Sequence, residues 1–207
     1  MKEYLVELVS RMTVPEKRCL NSADSISWHA HREAETLSDS SMVDELADYV
    51  AHEKDKKRRQ AAYFILGKLG QKVRSQDCAS ILISRLQQEE NKYVLSSLLD
   101  ATSGVSKLQE LDLRPVFRLL DDERWLVRHS AIRALSRTDS PDVEDRLIEL
   151  LNATSDPFDI TYCQATLNEI GTAKSLPHLQ KNLSSRKRDV KDSARLAIEA
   201  IESRGKR

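Results

Sequence analysis

The chain has 207 residues, 32% of them charged and only 5% aromatic, with five glycines, five prolines and no net formal charge. That length can bury a sizeable core, and the zero balance removes any global pull toward nucleic acid or an anionic membrane. Three cysteines far apart in sequence (Cys19, Cys78, Cys163) and no CxxC or Cys/His cluster argue against a disulfide framework and a zinc site.

The first element is an amphipathic helix over Lys2–Met12, with Tyr4, Leu5, Leu8, Val9 and Met12 at helical spacing. Ser22–Leu37 predicts a second helix. Neither fits the periodicity that follows, so residues 1–40 are expected to form an atypical helical cap, as a repeat array needs at an end. No apolar run reaches membrane-spanning length and the N-terminus lacks a secretory stretch, which predicts a cytoplasmic protein.

From residue 41 the chain repeats, in units of about 41–70, 76–104, 112–138, 142–171 and 173–203. Each unit predicts an A-helix ending in a branched apolar residue (Val50, Leu86, Leu120, Leu151, Leu183), a short acidic link, and a B-helix with a small residue in its first turns (Ala62, Ser97, Ala131, Cys163, Ala194). The two anchors stay 11 or 12 residues apart throughout. An amphipathic A-helix buries one stripe, and a B-helix crossing it closely needs a small residue at the crossing. Pro115, Pro141 and Pro177 stand near A-helix starts, where a missing N–H costs little. Gly70 and Gly171 are expected to cap B-helices.

The run from Trp125 to Leu135 (WLVRHSAIRAL), its echo from Asp189 to Ile198 and a weaker one from Ala61 to Gly70 resemble the B-helices of HEAT repeats of the bilin-lyase type. The resemblance covers roughly residues 41–207 and implies an all-α, right-handed α-solenoid of about five two-helix repeats. It says little of activity, because such repeats serve many tasks. Asp159 stands where this pattern usually has an apolar residue. The resemblance also implies that Arg59, Arg128 and Lys191, each three residues before its small anchor, pair with acids of a neighbouring repeat, near Asp55, Asp122 and Asp156.

Charge is uneven. Lys54, Lys56, Lys57, Arg58, Arg59, Lys68, Lys72 and Arg74 face Asp55 alone within 54–75, and the chain is basic again from Lys181 to Arg207. On the B-helices, 100° per residue sets His129, Arg133 and Arg137 opposite the buried arc as a basic stripe. Its counterparts include Phe64 in the first repeat and Leu99 in the second, so the band is mixed rather than continuously basic. A nucleic-acid groove draws affinity from many phosphate contacts, and this band lacks them. It predicts a surface for a protein or peptide at Phe64, Leu99, His129, Arg133 and Arg137, with the chain a non-catalytic scaffold that needs no cofactor or metal. The alternatives are a nucleic-acid-binding protein related to the HEAT-like alkylpurine DNA glycosylases and a bilin-lyase-like HEAT protein. The di-iron hydroxylases of this repeat class rely on several His-Glu pairs, and only His52-Glu53 occurs here.

Overall fold

The structure is a computed structural model that describes residues 3–16 and 21–206. Cys19, and Lys2 at the head of the first amphipathic segment, lie outside the described residues. No strand occurs among those described, and no helix there is long and apolar enough to cross a membrane. The chain divides into two compact units, Met1–Ser106 and Lys107–Arg207.

In the first unit, α1 (Glu3–Met12) buries Leu5, Leu8, Val9 and Met12, one stripe at i, i+3, i+4, i+7. It pairs with α2 (Ile26–Ala34), which Ser25 caps by accepting the Trp28 N–H. The Glu33 carboxylate fixes the pair, accepting both Arg11 guanidinium N–H groups at 2.8 and 3.0 Å and the Tyr4 hydroxyl at 2.7 Å. Next come α3 (Met42–His52) and α4 (Lys56–Val73), then α5 (Gln76–Arg85) and α6 (Lys92–Ser103). α4 is apolar on most sides (Ala61, Ala62, Tyr63, Ile65, Leu66, Leu69 buried) because α1, α3, α5 and α6 all pack on it. Two glycines permit this. A Cβ on Gly67 would stand 2.9 Å from the Ala101 backbone of α6, and one on Gly70 would stand 2.6 Å from Cys78 of α5. Gly70 is therefore not the expected cap. α4 runs on to Val73 and ends at Arg74, which takes the left-handed conformation at φ 52°.

The second unit holds α7 (Arg114–Phe117), α8 (Trp125–Ala134), α9 (Pro141–Ala153), α10 (Pro157–Ile170), α11 (Leu176–Gln180) and α12 (Arg188–Gly205). α7 and α11 are a single α turn each, completed by 3-10 turns at Arg118–Asp121 and Lys181–Ser184. Pro115, Pro141 and Pro177 occupy first-turn positions, as their missing N–H dictates. The α10–α12 and α8–α10 pairs form the main packing. Glu144 of α9, buried, ties the start of α11 by accepting the Thr172 N–H at 2.7 Å and the Ser175 hydroxyl at 2.6 Å. Gly171 does cap α10, in extended rather than left-handed geometry (φ −64°, ψ 150°).

The N-caps correct the small-residue register at one place. Ala62, Ala131, Cys163 and Ala194 are each the seventh residue after the N-cap of their helix and are fully buried. In α6 the N-cap is Asn91, so the seventh residue is Leu98, which is fully buried, while Ser97 is half-buried and bonds to Gln60 across the helices at 2.8 Å. Ser97 therefore does not occupy the position that the other four anchors share. α6 also approaches the preceding B-helix, α4, closely, through Ala101 against Gly67.

Candidate functional site

α8 and α10 lie side by side, and their first turns carry the densest group of chemically active side chains in the second unit. Trp125, Arg128 and His129 share one side of α8, while Phe158, Asp159 and Tyr162 line the adjoining side of α10. Arg128 donates through Nε to both oxygens of Asp159 at 2.9 and 2.8 Å and through Nη1 to the Asp122 carbonyl at 2.8 Å. Its Nη2 is 3.5 Å from Asp156. Asp159 is 3% exposed and also accepts the Thr154 hydroxyl at 3.2 Å. A carboxylate so deep in the packing survives only when compensated in this way.

His129, 7% exposed, brings Nε2 to 2.9 Å from Asp159 Oδ1 without hydrogen-bond alignment, and that nitrogen has no other partner among the described residues. Its ring stacks on Tyr162 (centroids 4.6 Å apart, planes at 22°), with Trp125 at 5.6 Å and Phe158 at 6.2 Å. The result is a rigid imidazole–phenol stack flanked by two large aromatics that are 62% and 64% exposed. His129, Asp156 and Asp159 also bring donor atoms within 4.8 Å of one another. The Arg128 guanidinium already sits on both carboxylates, however, and a second cation placed there would be repelled. The group is an Arg–Asp–His network.

The predicted positions fare unevenly. Leu99 is fully buried and His129 nearly so; neither side chain can meet a partner. The one-residue slip in α6 explains Leu99, and the stack with Tyr162 explains His129. Phe64 is half-buried under α2, edge-on to His31 at 5.1 Å and beneath the Lys68 ammonium at 5.3 Å. Arg133 and Arg137 are exposed, but Arg137 lies beyond the end of α8 in the left-handed conformation (φ 56°), its carbonyl accepting the Lys107 N–H at 2.8 Å. Of the expected inter-repeat ion pairs, Arg128 does reach the named acid Asp156, at 3.5 Å, but the shorter contacts are to acids not named. Arg59 grips Glu89 at 2.7 and 3.0 Å, where Tyr63 also donates at 2.7 Å, and Arg128 grips Asp159. Asp55 caps α4 instead, the Asp122 carboxylate holds Arg124, and Lys191 is exposed.

Sequence reasoning missed the aromatic edge and Lys107, which is 1% exposed and whose ammonium pKa burial pushes down to about 7. One signal did exist: Asp159 at a usually apolar position, next to Phe158 and one turn from Tyr162.

The family model for HEAT repeats matches residues 113–199. Residues 113–199 are HEAT repeats. The HEAT segment contains the whole Trp125–Tyr162 cluster. No curated protein matches the chain. Among solved structures, a designed armadillo repeat protein aligns over 95% of this chain and 99% of its own, with a TM-score of 0.55 at 16% identity. An engineered protein aligns over 98% and 100%, with a TM-score of 0.57 at 17% identity. At such identities the likeness shows the fold alone, and that fold is the all-α repeat solenoid. AlkD2 from Streptococcus mutans aligns over 97% and 99% at 16% identity, but its TM-score of 0.45 carries no argument about activity.

Proposed function

We propose that the chain is a non-catalytic scaffold that binds a protein or peptide segment at the first turns of α8 and α10. One observation carries this reading: Trp125 and Phe158 stand more than half exposed on either side of one immobilised imidazole. Covering their remaining apolar surface would contribute on the order of 1–2 kcal/mol each. Trp is among the residues that dominate binding hot spots. The Arg128–Asp159 pair and the His129–Tyr162 stack hold the platform in place before a partner arrives, so little ordering entropy is lost on binding. Arg133, exposed on α8, is the one member of the expected surface we retain for partner contact. We also keep residues 1–40 as a cap: α1 packs on α4, α2 reaches it through His31 on Phe64, and Lys72 closes the C-terminal end of α2 by donating to the carbonyls of Glu35 and Thr36.

The nucleic-acid reading has less support, because His129 leaves the basic stripe for the interior. Selection of peptides from a random display library on the immobilised chain, followed by calorimetry, tests the proposal. Selected peptides should bind the Trp125→Ala/Phe158→Ala double variant at least about 30-fold more weakly, while its helical circular dichroism stays unchanged. Equal affinity for the folded double variant would remove the edge from consideration.

A further inference from the structure

A second feature, in the first unit, is independent of the aromatic edge. Between the end of α1 and the start of α4 lies a cleft of about 740 Å³, lined by Ser10, Thr13, Val14 and Pro15 on one side and by Lys54–Arg58 on the other. That volume is typical of small-molecule sites. Four of its lining residues are cations (Lys54, Lys56, Lys57, Arg58), against the single acid Asp55. Asp55 is engaged as the cap of α4, accepting the Arg58 N–H at 2.9 Å. Arg58 has a distant acid, Glu53 at 3.9 Å, and Glu53 is itself bound by the Tyr49 hydroxyl at 2.6 Å and the Asp55 N–H at 2.8 Å. Lys54, Lys56 and Lys57 are exposed and form no ion pair among the described residues.

This arrangement is costly when nothing fills it. Like charges one turn apart repel, and cations in a first turn oppose the helix dipole. α4 nevertheless begins on four consecutive cations (Lys56–Arg59) with no acid in that turn. Of the four, Arg59 pairs closely with Glu89 and Arg58 only distantly with Glu53. We propose that the cleft binds a small anion bearing several phosphate groups, held by Lys54, Lys56 and Lys57, with Arg58 at the rim and the Ser10 hydroxyl on the opposite wall. A nucleic-acid backbone fits less well, because it needs cations continuing along a track. The next cations on α4 are already engaged: Lys68 with Glu35 at 3.3 Å, and Lys72 with two carbonyls.

The test uses the full chain and inorganic triphosphate as probe, with sulfate as the control for a site that takes a single tetrahedral anion. The midpoint of thermal unfolding should rise with triphosphate concentration and saturate, and calorimetry should give one site. The Lys54→Gln/Lys56→Gln/Lys57→Gln variant, altered only at exposed positions, should fold normally and lose at least tenfold in affinity. An Arg188→Gln/Arg195→Gln variant in the second unit should bind as wild type. Co-sedimentation with vesicles carrying a phosphorylated inositol lipid would assign the phosphates to a lipid headgroup. Binding of the soluble probe without co-sedimentation would assign them to a free molecule. The proposal is overturned by no response to triphosphate, by equal response of the triple variant, or by an oligonucleotide outcompeting triphosphate with a salt slope demanding many phosphates.

Discussion

Arg128 is the residue on which the second unit's polar interior turns. It meets Asp159 through Nε, the Asp122 carbonyl through Nη1 and Asp156 through Nη2, so truncation leaves a buried carboxylate beside a misaligned imidazole. Arg128→Ala should destabilise the chain by about 3 kcal/mol in urea unfolding; a loss under 1 kcal/mol would mean that water compensates Asp159. Lys107 offers a second test. Burial, and then the Arg137 cation, lower its ammonium pKa from 10.5 to about 7, with Glu169 opposing. Above pH 7 the unfolded chain therefore binds more protons at this group than the folded one, and stability rises with pH, by at most roughly 1.4 kcal/mol per unit. The difference in unfolding free energy between wild type and Lys107→Met should grow in favour of wild type from pH 7 to 8.5; a flat difference would contradict the burial. The cation at Arg128 was legible from its place three residues before a small anchor. Lys107 was not, because a lysine among loop residues carries no mark of burial.

Among the helices, α4 and α6 approach closely, and the approach depends on a glycine. Gly67→Ala would put a methyl 2.9 Å from the Ala101 backbone and should cost about 1–3 kcal/mol by forcing the helices apart. Gly104→Ala meets nothing nearer than 3.7 Å and should be close to neutral. Equal thermal midpoints for the two variants would contradict the packing. At this scale the helix pattern was readable wherever anchor and cap agree, as in α4, α8, α10 and α12. It slipped in α6, where the small residue Ser97 is adjacent to the true seventh position, Leu98. The close approach of α6 to the preceding B-helix rests on a glycine of that other helix, which a pattern sought within one helix could not find. The A-helices ending at Leu120 and Leu183 were read as full helices but are one α turn followed by a 3-10 turn, and Leu183 is 37% exposed.

For the molecule as a whole, residues 113–199 are HEAT repeats and the fold is a repeat solenoid, and neither names a client. What distinguishes this chain is where its repeats depart from bare architecture: an aromatic edge over an Arg–Asp–His network, and a first turn crowded with cations. The stripe read from the sequence divides in the structure, His129 turning inward while Arg133 stays exposed, because helical angles place side chains around an axis but do not say which neighbour will cover them. The chain contains two tryptophans, Trp28 in the first unit and Trp125 at the proposed edge. Nitrogen-15 spectra recorded while a library-selected peptide is titrated in would follow both indole resonances at once. The Trp125 resonance should shift and saturate with the calorimetric affinity, with Trp28 unchanged; a Trp125 resonance that stays fixed while peptide binds elsewhere would contradict the assignment of this edge as the binding surface.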